Sequence, residues 1–563
     1  MPIRKILNIL SINPRLQSSL SQELKISPII AQVLINRGID NVKDADSFLN
    51  SRIDDLLDPL SFADMPKAVS LIKKAAREKE KVIIFSDYDA DGITALVLLK
   101  NTLSKLGLKI FHYIPHRVKE GYGLNKKVLD LARKEKAGLL ITADSGTSSY
   151  EEIKELKRLG LEVIITDHHE PLRKDDLPAA SAIINPKVRG SGYKYRDLAG
   201  VGVAYKLCQA LTGQMLIEEL DLVALGTIAD SVPLIGENRI IAKKGLEMIF
   251  NTRRPGLKAL MESSRIKGKK ITAEYVSFIL GPRINASGRV DTAELALNLL
   301  MSENEEDAKS LAKAIEICNR QRQKIESVIL EEAQDLINQE VNFKEHKVVV
   351  VAKEGWHTGV LGIVAAKLSE KFYRPTILIS LTDELCRGSG RSVKNFHLFQ
   401  ALLECKDLLD SFGGHQHATG LVIPKGNIEN FKKRINHLVK EKLTLEHLIP
   451  TIDIDMELGL SDINERFVEE LARLEPFGSG NPEPLFYTRD LKLKGEFRVL
   501  SRDTLKFWVT DGKYTYEAIG FGMAGIKSSL AQAGCFDIVY LPRMDDWQGE
   551  SSLILEVKDI FFK

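Results

Sequence analysis

Three carboxylates stand at alternating positions in one short segment, at Asp87, Asp89 and Asp91. They follow the apolar run from Val82 to Phe85, which predicts a buried strand. If the backbone stays extended, a spacing of two residues places the three side chains on one face. Carboxylates that are this close repel one another and raise each other's pKa, and a divalent cation relieves the repulsion. The segment therefore predicts a metal site.

Further oxygen and nitrogen ligands occur later in the chain, at Asp144, in the triplet Asp167-His168-His169, and at Asp230 after the apolar run from Leu220 to Ala229. Carboxylate and imidazole ligands without sulfur favour Mn²⁺ or Mg²⁺ over structural zinc. Two such ions about 3.5 to 4 Å apart are a recurring arrangement for phosphoester hydrolysis. An alternative interpretation is that these aspartates cap surface helices, since Asp is a favoured N-cap residue. Capping explains one aspartate but not acids or histidines at four predicted strand ends.

The elements that position these residues alternate between short β-rich runs and helical runs. Strands are predicted at 82–85, 139–142 and 163–166, and a helix at 93–106. This alternation predicts an α/β fold with a parallel, doubly wound sheet, in which ligands bind at the carboxyl ends of the strands. The acidic residues stand directly after these strands, so we expect them to converge on one crevice.

A long helix and two further units are predicted after this sheet. Residues 303–340 carry an apolar stripe at spacings near three and four, with Arg320, Arg322 and Lys324 on the other face. A second α/β unit is predicted from a strand at 347–352, a helix at 363–372, a strand at 375–381, and glycine-rich loops at 387–392 and 413–420. Five short runs, at 491–494, 506–509, 514–519, 537–541 and 553–557, predict a small OB-like barrel.

These elements divide the chain into five predicted segments. They are a helical lead-in at 1–65, a catalytic α/β domain at 66–300, a connecting helix at 301–340, a second α/β domain at 341–445 and an OB-like domain at 446–563.

Composition narrows the class of protein. The 79 Lys and Arg residues nearly balance the 77 Asp and Glu residues, which excludes a polycationic DNA coat protein but not a local basic groove. Five scattered cysteines without a CxxC pair exclude a disulfide framework and a thiolate zinc site, and they indicate a reducing compartment. No apolar run reaches the roughly 18 residues of a membrane span, and the first residues do not resemble a signal peptide. The sequence therefore predicts a cytoplasmic protein.

Four motifs occur in the order DYDADG, ADSG, DHH and the aspartate of ALGTIAD. They resemble the metal-site motifs of the DHH phosphoesterase superfamily. Longer segments across nearly the whole chain narrow the resemblance to the RecJ family of single-strand-specific exonucleases, namely ELKISPIIAQVLINRGI, IPHRVKEGYGL, GPRINASGR, GWHTGVLGIVA and RLEPFGSGNPEPLF. The segment GGHQHATG resembles the GGHxxAxG signature of the DHHA1 domain, with Thr419 in place of the more usual Ala. The resemblance implies DHH, DHHA1 and OB domains.

The resemblance also implies a catalytic centre. Two divalent ions, Mn²⁺ or Mg²⁺, would be held by Asp87, Asp89, Asp91, Asp144, His168 and Asp230, with Asp144 as the bridge. His169 would contact or protonate the scissile phosphate, and it completes a catalytic set with Asp89, Asp91, Asp144, His168 and Asp230. Several relatives place a metal-binding histidine four residues before Asp89, where this chain has Phe85, and Asp87 is expected to substitute for it.

Substrate contacts are expected in the second α/β unit and in the matched motifs. Glycines let the backbone approach a phosphate closely, and a guanidinium pairs with phosphate oxygens. The substrate-binding residues are expected to be Arg117, Arg283, Asn285, Arg289, His357, Ser389, Arg391, Gly413, Gly414 and His415. By the resemblance, Arg117, Ser389, Arg391 and also Arg289 would bind the 5′ terminal phosphate or adjacent backbone. Charge runs at Arg253-Arg254 and at 267–270 are weaker candidates for the channel, and Trp508, Phe507 and Tyr516 are candidates for base stacking in the barrel.

The resemblance implies a metal-dependent exonuclease that degrades single-stranded DNA from its 5′ end, in DNA repair and recombination. The strand would pass through a narrow channel between the two α/β domains, fed by the barrel. A helicase and a single-strand-binding protein are expected partners, and a self-contained groove predicts a monomer without membrane contact. Two alternatives remain open, a DHH phosphodiesterase for short oligonucleotides or cyclic dinucleotides and a non-catalytic replication scaffold. The scaffold would have lost the acidic ligands that this chain keeps.

Overall fold

Four sheets organise the residues that the computed structural model describes, 5–172, 176–444, 446–547 and 550–563. In chain order the strands are β1 (Ile6–Ile9), β2 (Lys81–Ser86), β3 (Lys109–Tyr113), β4 (Leu139–Ala143), β5 (Glu162–Thr166), β6 (Ala182–Ile184), β7 (Val349–Glu354), β8 (Thr376–Leu381), β9 (Leu385–Arg391), β10 (Ser411–Gly414), β11 (Ala418–Pro424), β12 (Thr451–Ile454), β13 (Met456–Glu457), β14 (Phe486–Leu493), β15 (Arg498–Leu500), β16 (Thr504–Thr510), β17 (Thr515–Gly520), β18 (Phe536–Trp547) and β19 (Glu550–Phe562).

The helices connect and cover these sheets. In chain order they are α1 (Pro14–Leu24), α2 (Pro28–Asn36), α3 (Val42–Leu49), α4 (Met65–Glu78), α5 (Ala90–Lys105), α6 (Lys126–Glu135), α7 (Tyr150–Arg158), α8 (Gly200–Thr212), α9 (Leu220–Ala229), α10 (Gly236–Phe250), α11 (Pro255–Ser263), α12 (Ala273–Tyr275), α13 (Gly281–Val290), α14 (Glu294–Leu300), α15 (Glu305–Glu340), α16 (Thr358–Phe372), α17 (Leu398–Leu403), α18 (Ile428–Lys442), α19 (Glu465–Ala472) and α20 (Lys527–Gln532). Among the described residues, no helix is both long and apolar enough to cross a bilayer.

The elements fall into two compact units. The first comprises residue 5 with 57–230 and 244–450, and the second comprises 6–56, 231–243 and 451–563.

The first unit contains a five-stranded sheet in the order β3-β2-β4-β5-β6, and every neighbouring pair is parallel. Its central strands are buried because their side chains are apolar on both faces. Helices α6 and α7 pack on one face, while α5 and α8 contact the sheet from the other. The predicted doubly wound α/β sheet is confirmed, and its strands end at the aspartates.

The long connecting helix is confirmed as α15. The prediction that Arg322 lies on the charged outer face of this helix is wrong, because this residue is buried. Its guanidinium bonds to Glu326 and Asn319 on the same helix, and these polar partners make burial of the charge tolerable.

The second sheet of the first unit has the order β10-β11-β9-β8-β7, with β7 and β8 parallel and the other pairs antiparallel. The prediction of a glycine-rich loop at 387–392 is wrong, since 387–391 belongs to β9. The predicted loop at 413–420 is shorter than expected, because 413–414 ends β10, 418–420 begins β11, and only 415–417 lies between the strands. Gly388 and Gly390 lie within β9, and a Cβ at either position would come within 3.1 Å of neighbouring core side chains. Glycine therefore serves close packing inside this sheet.

The second unit is organised by the C-terminal sheet. Strands β14, β18, β19, β17 and β16 are neighbours in that order, and an additional pairing between β14 and β16 closes the ring. These are the five strands that the sequence predicts, and short strands β13 and β15 extend the sheet. Helices α1 to α3 share one hydrophobic core with it. The segment that the sequence predicts as a separate lead-in thus packs with the OB-like strands.

Candidate metal centre and substrate groove

The first group of carboxylates joins the end of β2 to the first turn of α5. Asp89 is the N-cap of α5, and its side chain accepts hydrogen bonds from the N–H groups of Asp91 and Gly92. The backbone does not stay extended through all three aspartates, which was the condition for a shared face, because the helix begins earlier than predicted, at Ala90. Capping and metal binding are not exclusive here, because one aspartate is placed to do both.

The carboxylate of Asp91 is held by the N-terminus of α8. Its Oδ2 accepts a hydrogen bond from Gly200 N–H at 2.6 Å, and its Oδ1 accepts one from Val201 N–H at 2.7 Å. A helix N-terminus carries partial positive charge, so these bonds favour the ionised carboxylate. Glycine is required at position 200, because a Cβ there would lie 2.6 Å from the side chain of Asp144. The start of α8 therefore brings Asp91 and Asp144 close together.

Asp144 follows β4 in an uncommon backbone conformation. Its φ is 57°, in the left-handed region that few residues other than glycine, asparagine and aspartate adopt. Its Oδ1 atom is buried and has no hydrogen-bond partner within the described ranges. A strained residue that carries an unpartnered buried oxygen is typical of a functional position.

His168 reaches the carboxylates of three other segments. Its Nε2 lies 3.2 Å from Asp144 Oδ1, 3.6 Å from Asp230 Oδ2 and 3.9 Å from Asp91 Oδ2. Burial lowers the pKa of His168 to about 3, so the imidazole is neutral near pH 7. A neutral imidazole can coordinate a cation.

Asp167 and His169 form a hydrogen-bonded pair beside the metal ligands. Asp167 Oδ1 accepts from Nδ1 of His169 at 2.8 Å, and its Oδ2 accepts from Thr147 N–H at 2.9 Å. Burial alone would lower the pKa of His169, but the charge and hydrogen bond of Asp167 outweigh it and raise the pKa to about 9. Because Asp167 engages Nδ1, the second ring nitrogen of His169 is available to a substrate.

Three groups of side chains could each hold a cation, because one ligand atom from every member lies within 4.8 Å of the others. They are Asp87, Asp89 and Asp144; Asp91, His168 and Asp230; and Asp144, His168 and His169. Asp144 and His168 each belong to two groups, so the candidate positions are adjacent.

Asp230 reaches this centre from a helix. The apolar run before it is α9, and Asp230 is the C-cap residue of that helix. The prediction of a strand end at this position is wrong, since a short buried apolar run does not distinguish a strand from a helix.

The chemistry of the donor set fits a pair of hard divalent cations. Burial, and then repulsion by neighbouring carboxylates, raises the pKa of four aspartates, Asp87, Asp91, Asp144 and Asp230. Buried atoms without a hydrogen-bond partner within the described ranges include Asp87 Oδ1, Asp144 Oδ1 and both ring nitrogens of His168. Such a cluster is unfavourable alone and favourable around a cation. Oxygen and imidazole donors without sulfur suit Mn²⁺ or Mg²⁺.

The motif GPRINASGR forms α13 and supports the metal-binding loop from behind. Asn285 Oδ1 accepts a hydrogen bond from Ala90 N–H at 2.7 Å. Gly288 lies against the carbonyl of Tyr88, where a Cβ would come within 2.9 Å of the oxygen. Asn285, which the sequence predicts as a substrate contact, thus binds the start of α5.

Two arginines that the sequence proposes as substrate or DNA contacts form ion pairs with carboxylates. Arg283 donates to Glu316 on α15 at 2.9 Å, so the structure does not bring its charge to the metal centre. Arg254 pairs with Asp221 and Glu219, so two carboxylates already neutralise the charge that the sequence offers for a DNA channel. Its neighbour Arg253 and the residues of the basic run 267–270 are exposed.

Arg117, Arg289 and Arg391 bring positive charge together without a carboxylate. Arg289 donates to the carbonyl of Gly359 at 3.0 Å, and Arg391 donates to Ser389 Oγ at 3.3 Å. Burial, followed by the charge of Arg117, lowers the pKa of both Arg289 and Arg391. Within the described parts of the chain, no carboxylate lies at ion-pair distance from these three guanidinium groups. The cluster is therefore a site for an anion.

Ser389 shares a face of its sheet with two open glycines. The strand register pairs Gly413 with Gly420 and Gly420 with Ser389, and residues opposite each other in antiparallel strands point the same way. A Cβ at Gly413 or Gly420 would meet no atom within 4 Å. Gly414 differs, because its φ is 127° and a Cβ there would lie 2.3 Å from the carbonyl of Ala418. Gly413 leaves room for a ligand, whereas Gly414 is needed by the backbone.

Two further predicted residues flank this face. The His415 ring lies 6.4 Å from the ring of His169 and nearly parallel to it, which places the end of β10 beside the metal centre. His357 is the N-cap residue of α16, and its buried Nδ1 has no hydrogen-bond partner in the described segments. Burial lowers the pKa of both imidazoles.

The aromatic candidates of the OB-like sheet separate into three environments. Phe507 is fully buried in the hydrophobic core, so the stacking role predicted for it is wrong. The hydroxyl of Tyr516 donates to the carbonyl of Ile463. Trp508 is 45% exposed and remains a candidate for base stacking.

Sequence reasoning missed residues that position His169. The hydroxyl of Tyr122 lies 3.1 Å from its Nδ1, and Asn185 Nδ2 donates to its carbonyl at 2.9 Å. Asp167 was expected only as part of the DHH motif, without a role of its own. Asn185 directly follows β6, and a polar residue at the end of a parallel strand is a signal that could have indicated it.

Family models match three stretches of the chain. They are the DHH family, N-terminal domain, at 81–227, the DHHA1 domain at 345–441 and the RecJ OB domain at 454–559. With the carboxylate and imidazole clusters at the strand ends, these matches define a phosphoesterase of the DHH class.

Similar proteins and solved structures identify the family within this class. The chain is 39% identical to the single-stranded-DNA-specific exonuclease RecJ of Bacillus subtilis (strain 168), over 96% of this chain and 69% of that protein. Crystal structures of RecJ from Thermus thermophilus in complex with Mn²⁺ and with Mg²⁺ have TM-scores of 0.86 and 0.78. They are 28% and 27% identical in sequence, and the matches cover 100% of this chain and 80% and 79% of those chains. The chain belongs to the RecJ family of single-stranded-DNA-specific exonucleases, and the resemblance indicated by its motifs is confirmed.

Proposed function

We propose that this chain is a metal-dependent exonuclease that degrades single-stranded DNA from the 5′ end, in DNA repair and recombination. The observation that carries the proposal is the set of three adjacent carboxylate and imidazole groups, two of which contain Asp144 and two of which contain His168. The arginines without carboxylate partners supply the matching anion site, and membership of the RecJ family supports the substrate class.

We assign the side chains to three tasks. The cations would be held by Asp87, Asp89, Asp91, Asp144, His168 and Asp230, with Asp144 between them. His169 would contact the scissile phosphate or donate a proton to it, and Asp167 would orient His169. The 5′ terminal phosphate would be bound by Arg117, Arg289, Ser389 and Arg391, and His357, Gly413, Gly414 and His415 would contact the neighbouring nucleotide.

Two divalent cations held by these side chains would supply Lewis acidity at the phosphate and would lower the pKa of a bound water, so that hydroxide forms near neutral pH. Breaking the bond between phosphorus and O3′ of the terminal nucleotide leaves the phosphate on the shortened strand. Each turnover therefore presents a new 5′-phosphate, which Arg117 and Arg391 can bind again. This chemistry favours repeated cleavage of one strand.

We further propose a monomer in the cytoplasm, which acts on strands exposed by a helicase and covered by a single-strand-binding protein. The five free cysteines support a reducing compartment. The candidate metal ligands and the arginine cluster all belong to one chain, which supports a monomer.

Digestion of a long DNA strand labelled at one end tests the proposal. With Mn²⁺ or Mg²⁺, a 5′ label should appear first as a mononucleotide, while a 3′ label should pass through progressively shorter products. Blunt duplex should be degraded much more slowly, and a chelator should stop the reaction. Release of the 3′ label first, or an intact long strand beside degraded dinucleotides, would contradict the proposed polarity or substrate.

Substitution of Gly413 by alanine should reduce activity without harming the fold. No atom of the protein lies within 4 Å of the added Cβ, so stability should be unchanged or rise by about 0.4–1 kcal/mol. If a nucleotide passes over this face, the methyl group displaces it, and kcat/KM should fall roughly 10- to 100-fold. Steady-state kinetics and thermal unfolding measure the two effects.

Gly426→Ala is the matched control, because its Cβ would also meet no atom within 4 Å. It lies in the same unit and should retain full activity. Full activity of Gly413→Ala would show that the substrate does not approach β10.

A further inference from the structure

Glu120 ties the loop that carries Arg117 to the elements on either side of it. Glu120 accepts hydrogen bonds from the hydroxyl of Tyr113 at 2.6 Å and from Asn125 Nδ2 at 3.1 Å. These bonds close the two ends of loop 114–125 onto each other. The guanidinium of Arg117 lies over the ring of Tyr88, 4.8 Å from its centroid, and the bonds of Glu120 do not act on the backbone next to Arg117.

The backbone next to Arg117 is bound by a residue of the second sheet. Arg387 on β9 donates from Nη1 to the carbonyl of Val118 at 2.7 Å. Val118 is the residue after Arg117, so this charge-assisted bond acts on the backbone that carries the candidate phosphate ligand.

Arg387 lies on the same strand face as two other candidate phosphate ligands. Residues at 387, 389 and 391 alternate along β9, so Arg387, Ser389 and Arg391 point to one face. Gly388 and Gly390 point to the opposite face, where a Cβ would come within 3.1 Å of the core. One rigid strand therefore both grips the Arg117 loop and presents Ser389 and Arg391.

Electrostatic repulsion makes such a grip necessary. Arg117 comes from a loop of the DHH domain and Arg391 from a strand of the DHHA1 domain, and their like charges repel. Without a bound anion, this repulsion favours separation of the loop from β9. The bond from Arg387 to the carbonyl of Val118 opposes that movement, because it ties the backbone next to Arg117 to β9.

We infer that Arg387 is a positioning residue for the proposed 5′-phosphate pocket, in which it keeps Arg117 within reach of the phosphate that Ser389 and Arg391 bind. The inference rests on the proposed function of that pocket. Arg387 is exposed, so loss of its hydrogen bond is expected to change the pocket more than the stability of the fold.

The test compares strands that carry a 5′-phosphate or a 5′-hydroxyl, with the full chain and Mn²⁺. Arg387→Met keeps the aliphatic stem but removes the donor. It should raise KM for the phosphorylated strand roughly tenfold, with kcat unchanged and with little effect on the hydroxyl strand. Arg387→Lys retains a donor and should restore most of the difference. Fluorescence anisotropy without metal should give the same order of affinities.

Two further variants show whether a negative result concerns Arg387 alone or the whole proposed pocket. Lys433→Met removes an exposed cation from α18 of the same unit and should leave both substrates unchanged. Arg391→Met tests the pocket itself and should reduce the preference for 5′-phosphate. If Arg391→Met has this effect and Arg387→Met does not, or if Arg387→Met weakens both substrates equally, the positioning role is wrong. If Arg391→Met leaves the preference intact, the proposed pocket is wrong, and the role of Arg387 falls with it.

Discussion

Replacement of Asp144 by asparagine is expected to reduce DNA hydrolysis by about 10³-fold or more. Asp144 belongs to the group with Asp87 and Asp89, and its Oδ1 lies 3.2 Å from Nε2 of His168, which belongs to the group with Asp91 and Asp230. Its loss is therefore expected to disturb both candidate cation positions. Metal ions stabilise the transition state by several kcal/mol, and each 1.4 kcal/mol is about a tenfold change in rate. Asparagine suits the observed φ of 57° because it tolerates the left-handed region, so the backbone should be retained. Single-turnover kinetics on a labelled strand measures the loss.

The same variant should become insensitive to metal in thermal unfolding. Mn²⁺ at about 100 times its dissociation constant stabilises the native protein by about 2.7 kcal/mol, and Asp144→Asn should lose most of that gain. Without metal the variant should be at least as stable as the native protein, because it removes one of several buried carboxylates that repel each other.

Asp130→Asn on α6 is the matched control. It makes the same chemical change at an exposed ion pair with Arg133, and it should affect neither activity nor the response to metal. Normal rates for Asp144→Asn in saturating Mn²⁺ would show that Asp144 does not bridge the cations.

The sequence predicts which residues meet at the metal centre better than it predicts how they meet. The order of the acidic motifs and the apolar strands before them are local features, and from them the sequence predicts that Asp144 and the DHH triplet meet, which the structure shows. The contact that holds the side chain of Asp91 is not local in the sequence. Its carboxylate is held by Gly200 and Val201, which lie more than a hundred residues later, and no pattern near Asp91 indicates that contact.

The errors in predicting the second sheet also arise from contacts between residues that are far apart in the sequence. A glycine-rich segment usually indicates a turn. Gly388 and Gly390 are strand residues because β8 and β11 pair with β9, and pairing partners far along the chain do not appear in a local pattern. The environments of Arg254 and Arg322 also depend on other residues. Each forms an ion pair with a carboxylate, and such a pair decides whether an arginine is free to bind DNA.

Substitution of His169 by alanine is expected to reduce the rate of hydrolysis by about 10²- to 10⁴-fold, the range typical of a general acid or base. Its Nδ1 is engaged by Asp167, so the imidazole is oriented with its other nitrogen available. Asp167→Asn should cause a smaller loss of about 10- to 100-fold, because the ring remains but its orientation is less well defined. Single-turnover rates at saturating DNA measure both effects.

The response to metal distinguishes a catalytic role of His169 from a role as ligand. Its Nδ1 lies 3.8 Å from Asp144 Oδ1 but only 2.8 Å from Asp167 Oδ1, so the nitrogen is committed to Asp167. We therefore expect His169→Ala to keep the stabilisation by Mn²⁺ that Asp144→Asn loses. The exposed His437 on α18 provides the control, and His437→Ala should change neither quantity. If His169→Ala also loses the response to Mn²⁺, then His169 coordinates a cation, and a different group must serve the scissile phosphate.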